Sequence, residues 1–380
     1  MVIKAKLKIP LDSTILNELI YEGLLYLIGN GFSESVGFDS VELSDDAFIG
    51  AFGGLDKGKI ENINVFMSGN DNLNQKLLEL FKIRGSCKKN FREILKILQN
   101  QSKILGDCRT DVEISLQEKR GKIYLGNGSE QDRLTAQIFK VDRYTGYSSL
   151  ESPYTSQQVT LYFSKEIALI LLLGIYSSFT VAVRADRSFY LLLFSADEIQ
   201  AVFDEKSMAR KYLDIRAIIE AQLSSVLRTR VKELLPIILS TNVTVINHLR
   251  TENLDKLSVS LLKIDQEGQT YKIYENISLT AYSQPFFLKI LEKFGKNSNF
   301  TIGRLSNALG SDSILLQALT SRGVPERCNV LRAIMGLHRF VANSDAQGLF
   351  TFVRELSNAS LKCASESNKK QYSYIISGLT

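Results

Sequence analysis

Residues 167–183 read IALILLLGIYSSFTVAV, an uncharged run of 17 residues between Glu166 and Arg184. A membrane-crossing helix needs about 20 consecutive apolar residues, and this run is broken by Gly174, Ser177, Ser178 and Thr180. It reads as a buried helix, capped by Ser164 and running from Lys165 to about Ser177, that passes directly into a buried strand. The strand has a partner: TVAV, the turn RADRS and FYLLLFS form a hairpin. A buried helix beside an antiparallel hairpin makes this an α+β chain.

Working outward, MVIKAKLKIP alternates Ile3, Ala5, Leu7 and Ile9 with Lys4, Lys6 and Lys8. That is the period of a strand, not the apolar core of a signal peptide. Asp12 and Ser13 are N-cap candidates for a helix to about Ile28, with Leu16, Leu19, Ile20, Leu24 and Leu27 on one face, and Gly29-Asn30-Gly31 stops it. Residues 36–67 suggest short strands around a glycine-rich turn. Residues 71–83 and 87–105 suggest two helices, and 111–141 an antiparallel meander turning at EKRG and GNGSEQD. Helical patterns fill 197–250, broken near Pro236, and a second hairpin joins KLSVSLLKID to YKIYENISL across Gln266–Gln269.

Beyond about Ala281 strand signals stop. Candidate helices cover 285–295, 300–309, 311–321, 325–342, 345–357 and 368–377, with short connections that favour an antiparallel bundle. The expected fold is therefore α+β: a mixed α/β amino-terminal body with antiparallel hairpins over 1–280, then a helical bundle over 281–380.

Hydrophobic residues make up 44% and charged residues 23% of the 380, which excludes global disorder and collagen or coiled-coil compositions. The net charge is 46 basic minus 41 acidic, or +5, and it is unevenly placed. Residues 1–150 carry 20 of each sign, residues 151–280 carry 14 basic and 15 acidic, and residues 281–380 carry 12 and 6. A local basic surface implies an anionic partner. Cys87, Cys108, Cys328 and Cys363 form no CxxC pair, and His248 and His338 stand in no HD, HExxH or HxH pattern. The expectation is no metal, no cofactor, no catalytic residue and no membrane segment, in a reduced cytoplasmic protein.

Four segments carry the remaining chemistry. Gly53-Gly54-Leu55-Asp56-Lys57-Gly58-Lys59-Ile60 satisfies GxxxxGK, but Ile60 replaces the Ser or Thr that would hold Mg²⁺, and NINVF reads as a strand where a phosphate loop opens a helix. Two readings stand: a flexible turn, or a loop in which Gly50, Gly53, Gly54 and Gly58 let backbone approach a groove while Lys57 and Lys59 add charge. Lys82, Arg84, Lys88, Lys89, Arg92, Lys96 and Lys103 face only Glu93 across 82–103, a local +6 suited to a phosphate backbone or to a solvated helix face. Arg143 beside Tyr144 and Tyr147 pairs a phosphate ligand with stacking rings. On the helix near 325–342, Val330, Ile334, Leu337 and Val341 form the apolar stripe, while Arg332 and Arg339, seven apart, share a face, and Lys369 and Lys370 follow. The acidic pairs Asp45-Asp46, Asp197-Glu198 and Asp204-Glu205 are adjacent in sequence and diverge, so no hydrolytic centre converges.

The order Arg143-Tyr144-Thr145-Gly146, then Tyr162-Phe163-Ser164, then LLLGIYSSF (171–179), then FYLLLFSADEI (189–199) resembles the large subunit of the archaeal type I-A CRISPR Cascade, the Cas8 group. The likeness spans roughly 140–200. It implies a non-enzymatic antiviral-defence subunit of a ribonucleoprotein at the 5′ end of crRNA, beside Cas5 and Cas7 backbone subunits and small subunits. Such a subunit reads the protospacer-adjacent motif in double-stranded target DNA and supports R-loop formation before a separate Cas3 nuclease-helicase cuts. On that reading Lys82, Arg84, Lys88, Lys89 and Arg92 bind phosphate. The 50–59 loop with Arg143 and Tyr144 approaches the motif, and Arg332, Arg339, Lys369 and Lys370 guide a single strand. A nucleotide-dependent or nuclease enzyme with a degenerate site and a purely structural scaffold are the alternatives.

Overall fold

The computed structural model describes residues 3–7, 15–38, 40–65, 77–82, 91–106, 111–114, 116–119, 122–126, 134–135, 160–183, 187–227, 234–267, 270–283, 292, 295–310, 313–321, 323–343 and 345–377. Within these, β1 (Ile3–Leu7) leads to α1 (Ile15–Gly29), whose apolar face buries Leu16, Leu19, Ile20, Leu24 and Leu27. Gly31 ends the helix with φ at +81°, and two bonds close the turn: Gly31 N–H to the Ile28 carbonyl at 3.1 Å and Phe32 N–H to the Leu27 carbonyl at 2.9 Å. That pair of bonds around a left-handed glycine is a Schellman stop. The expected caps Asp12 and Ser13 lie outside the described residues.

β2 (Ser33–Val36) and β3 (Ser40–Leu43) follow, and with β4 (Asp111–Ile114) they form a sheet of order β2-β3-β1-β4. β1 runs antiparallel to β3 and parallel to β4. The glycine-rich stretch expected to be a turn between strands is instead two short helices, α2 (Ala47–Gly53) and α3 (Lys57–Asn62). Ala47, Phe48, Ala51 and Phe52 bury at helical spacing, and the Asp56 carboxylate caps α3 by accepting the Lys59 N–H at 2.8 Å. Burial of this face overrides the weak helix propensity of the glycines. Ile63 and Val65 are buried without pairing in a strand. Residues 77–80 are helical, and α4 (Phe91–Asn100) falls within the second helix expected.

The meander expected over 111–141 is partly overturned. β5 (Leu116–Lys119) and β6 (Lys122–Leu125) do form the hairpin across EKRG, but β4 belongs to the first sheet. β6 then pairs in parallel with β8 (Thr160–Phe163), next to β7 (Leu134–Thr135), giving the order β5-β6-β8-β7. A parallel partner arriving from far along the chain leaves no local turn signal.

Ser164 occupies the expected N-cap position but its hydroxyl makes no capping bond; the rest of the deciding stretch folds as expected, with α5 (Lys165–Ser178) passing at Phe179 into β9 (Phe179–Val183), which pairs antiparallel with β10 (Ser188–Phe194). Four helices come next: α6 (Ala196–Asp204), α7 (Met208–Leu227), α8 (Leu235–Thr241) and α9 (Val243–Thr251). Pro236 stands in the first turn of α8, which needs no N–H from it, at the break expected there. β11 (Lys256–Glu267) and β12 (Thr270–Tyr282) extend the third sheet in the order β12-β11-β10-β9. The carboxy-terminal helices are α10 (Ser298–Leu309), α11 (Ile314–Thr320), α12 (Arg327–Asn343), α13 (Ala346–Lys362) and α14 (Glu366–Ile376). The helix expected at 285–295 falls mostly outside the described residues. The fold is α+β with a helical carboxy-terminal region.

The chain divides into two compact units, Met1–Leu213 with Ser260–Asn276, and Asp214–Val259 with Ile277–Thr380. The boundary expected near 281 lies close to one edge of this division, and the helices of 214–251 join the carboxy-terminal set. No helix among the described residues is long and apolar enough to cross a membrane.

The first unit is organised around the crossing of α1 and α5. A Cβ on Gly174 would collide with the Leu19 carbonyl, and one on Gly23 with the Ile170 carbonyl. The two backbones therefore touch where neither residue has a side chain. Beside that point Glu22, 1% exposed, accepts the Phe194 N–H at 2.7 Å, tying β10 to α1. One turn away, burial and the neighbouring Glu22 raise the Glu18 carboxyl from 4.5 to about 7.

Two outcomes are expected. Gly174→Val should destabilise the protein by about 3 kcal/mol or more, because the obstructing atoms are backbone and cannot move aside; urea unfolding checks this. Glu18 keeps its proton in the fold up to about pH 7 but loses it near pH 4.5 when unfolded. Stability should thus fall as pH rises from about 4.5 to about 7 and level off above, and Glu18→Gln should flatten that slope in melts taken across the window.

Candidate nucleic-acid interface

The GxxxxGK segment is held by the end of α5. Lys59 Nζ donates to the Ser177 carbonyl at 3.0 Å and lies 5.4 Å from the centre of the Tyr176 ring, while the Tyr176 hydroxyl accepts the Asp56 N–H at 2.9 Å. Gln99 of α4 donates to the Leu55 carbonyl at 2.6 Å. Lys59 is thus a bolt between α3 and α5. Burial and the neighbouring Tyr176 push the Tyr26 phenol, which meets that ring edge-on, well above its ordinary value.

The expected motif-proximal loop is replaced by helix. Gly50 and Gly53 lie in α2, Gly54 is its C-cap and Gly58 lies in α3. The Gly50 N–H bonds the Asp46 carbonyl at 2.8 Å and the Gly54 N–H bonds the Gly50 carbonyl at 2.9 Å, so neither is offered to a ligand. Gly50 makes room for the Phe32 ring. Lys57 stands exposed at the start of α3 with no ion-pair partner among the described residues.

Part of the basic run is neutralised from a helix that its own sequence window does not contain. Glu61 of α3 lies 2.7 Å from Lys96 and 3.9 Å from Arg92, and Arg92 also meets Glu93 at 3.5 Å. The hydrogen bond from Lys96 holds the Glu61 carboxyl below its ordinary value. Lys82 is exposed in a left-handed conformation, φ +55°. Arg84, Lys88, Lys89, Arg143 and Tyr144 lie outside the described residues.

In the second unit Arg332 and Arg339 project from one exposed face of α12, with Met335 between them and the stripe of Val330, Ile334, Leu337 and Val341 buried opposite. Arg339 pairs with Asp345 at 2.6 Å, whereas Arg332 makes no ion pair among the described residues. Burial raises the Glu355 carboxyl, but hydrogen bonds from Asn329 and Arg354, with the charges of Arg354 and Arg332, bring it below its ordinary value overall. Lys369 is bound to Glu366 at 2.7 Å, and Lys370 is exposed without a carboxylate.

One cluster escaped the sequence reading. The Arg304 guanidinium of α10 lies 4.3 Å from the Phe300 ring centre and 4.0 Å from that of Tyr374 on α14. Its Nη1 donates to the Tyr374 carbonyl at 2.6 Å and to the Ser377 hydroxyl at 2.7 Å. Phe300 and Arg304, four apart on a helix, were a local signal; Tyr374, 70 residues on, was not. Of the buried acids, Glu22 accepts a backbone N–H and Glu198 accepts the Ser195 hydroxyl. Among the described residues no group of three His, Cys, Asp or Glu is suited to a metal.

Glu61→Gln should leave the melting temperature nearly unchanged, since exposed pairs are worth about 1 kcal/mol or less. It should also raise the salt concentration at which the protein elutes from a polyanionic resin such as heparin, because Lys96 and Arg92 lose their neutralising carboxylate.

No family model matches the chain, and no solved structure matches it. A protein of Archaeoglobus fulgidus, described as uncharacterized, is 39% identical over 379 residues, covering 97% of this chain and 96% of its own. At that identity over nearly the whole of both chains, this protein belongs to the family of the Archaeoglobus fulgidus protein.

Proposed function

We propose that the chain is the non-catalytic large subunit of a type I-A CRISPR Cascade. In this role it acts in the cytoplasm with crRNA, Cas5 and Cas7 subunits and small subunits, and recognises the protospacer-adjacent motif in double-stranded DNA. It supports R-loop formation before a Cas3 nuclease-helicase is recruited. The observation that carries the nucleic-acid part is the division between committed and uncommitted charge. Lys59, Arg92, Arg339 and Lys369 are held by the protein itself and the charge of Arg332 acts on Glu355, while Lys57 and Lys370 stand exposed without carboxylate partners among the described residues. Uncommitted cations are what a phosphate backbone selects.

The resemblance supports the identity of the complex. Its segments LLLGIYSSF and FYLLLFSADEI occupy α5 with the start of β9, and β10 with the start of α6, all in the core of the first unit. They carry the body of the protein and leave its surface for contacts. The placement of Lys59 against a carbonyl and a ring also supports the non-enzymatic reading, because a phosphate-loop lysine points into the loop it belongs to. In an RNA-guided complex base pairing supplies the sequence reading, so the protein has to supply only charge and shape.

Co-expression with the Cas5 and Cas7 proteins and a crRNA tests this. The chain should co-purify with them, and the complex should bind target DNA bearing the motif with an affinity that falls steeply with salt. Charge reversal at Lys88 and Lys89 should lower the slope of log K against log salt by roughly 2. Purification as a lone protein with no guide RNA would overturn the assignment, and an unchanged slope would show that Lys88 and Lys89 are merely solvated.

A further inference from the structure

The stack formed by Phe300, Arg304 and Tyr374 does more than join two helices. Arg304 caps the end of α14 through the Tyr374 carbonyl, and a clamp of that kind needs only the guanidinium. Yet it lies between two rings that stay open to solvent, Phe300 58% and Tyr374 53% exposed. With one face of each ring against the guanidinium, the exposed area is the outer faces and edges. Arg304 has no carboxylate partner among the described residues, so its charge is not neutralised within the stack. Lys370, one turn before Tyr374 on α14, adds a second uncommitted cation on that side.

We infer that this stack, with Lys370, is a seat for single-stranded nucleic acid, taking an unpaired base on the outer face of a ring and the neighbouring phosphate on Lys370. Every base has a π-face, so such a seat is indifferent to sequence. A duplex keeps its base faces buried in its own stack and cannot use it. The rings are already ordered by Arg304, so little side-chain freedom is lost on binding. The surrounding chain suits an anionic strand, since residues 281–380 carry 12 basic and 6 acidic side chains. This deepens the nucleic-acid reading above and rests on it only for the class of polymer; it needs neither a guide RNA nor the other subunits.

The test uses the purified full-length chain with fluorescent dT15, rU15 and a 15-base-pair duplex, read by anisotropy. Phe300→Ala should weaken binding of the single strands about 5- to 100-fold, with duplex binding and melting temperature unchanged. Phe300→Tyr and Tyr374→Phe, which keep the rings, should bind as the original does. A preference for dT15 or rU15 identifies the strand as DNA or RNA and supports the seat either way. If Phe300→Ala leaves single-strand binding intact, or weakens the duplex equally, the stack is a clamp alone. In that case the inference falls while the proposed complex can still assemble on guide RNA. A chain that binds no nucleic acid, alone or in the complex, removes both.

Discussion

Two helix backbones meet at Gly23 and Gly174, and much of the first unit is arranged by that contact. A side chain on either residue would strike a carbonyl of the opposite helix, so α1 and α5 can approach this closely only there. The approach sets what the adjacent residues reach. Glu22 is brought to the backbone of β10, which supplies the hydrogen bond that lets a carboxylate stay buried. Two residues past Gly174, Tyr176 receives the Asp56 N–H, and Ser177 presents the carbonyl that binds Lys59. The position of α3 is therefore a consequence of the crossing.

The second unit uses the same device once more. Gly336 of α12 and Gly348 of α13 face each other with backbone atoms where their Cβ atoms would be. The two helices share their apolar sides, and Arg332, Met335 and Arg339 are left on the outer face of α12. Farther along the unit, α10 and α14 are joined by Arg304 and its two rings. Close packing inside and charge outside come from the same sequence periods, which sort residues by face.

Local chemistry made much of the fold legible. The Ser164–Val183 stretch, the hairpins at 179–194 and 256–282, and the helices after 298 were readable from period and capping, because those signals lie within a few residues of one another. The glycine-rich segment misled because glycine suggests a turn when read alone, while Phe48 and Phe52 bury only in the presence of the rest of the unit. The site was less legible than the fold. Lys59 and Arg92 looked free, and both are held by residues from other elements.

By itself the sequence determined the alternation of buried faces, the ends of the helices, and the excess of basic residues after 281. These depend on neighbours within one or two turns. Only the tertiary structure decided the parallel pairing of β6 with β8 and which cations remain uncommitted. It also decided that Tyr374 would close over Arg304. Each of these depends on residues tens of positions apart being brought within a few ångströms. No local period encodes such a distance.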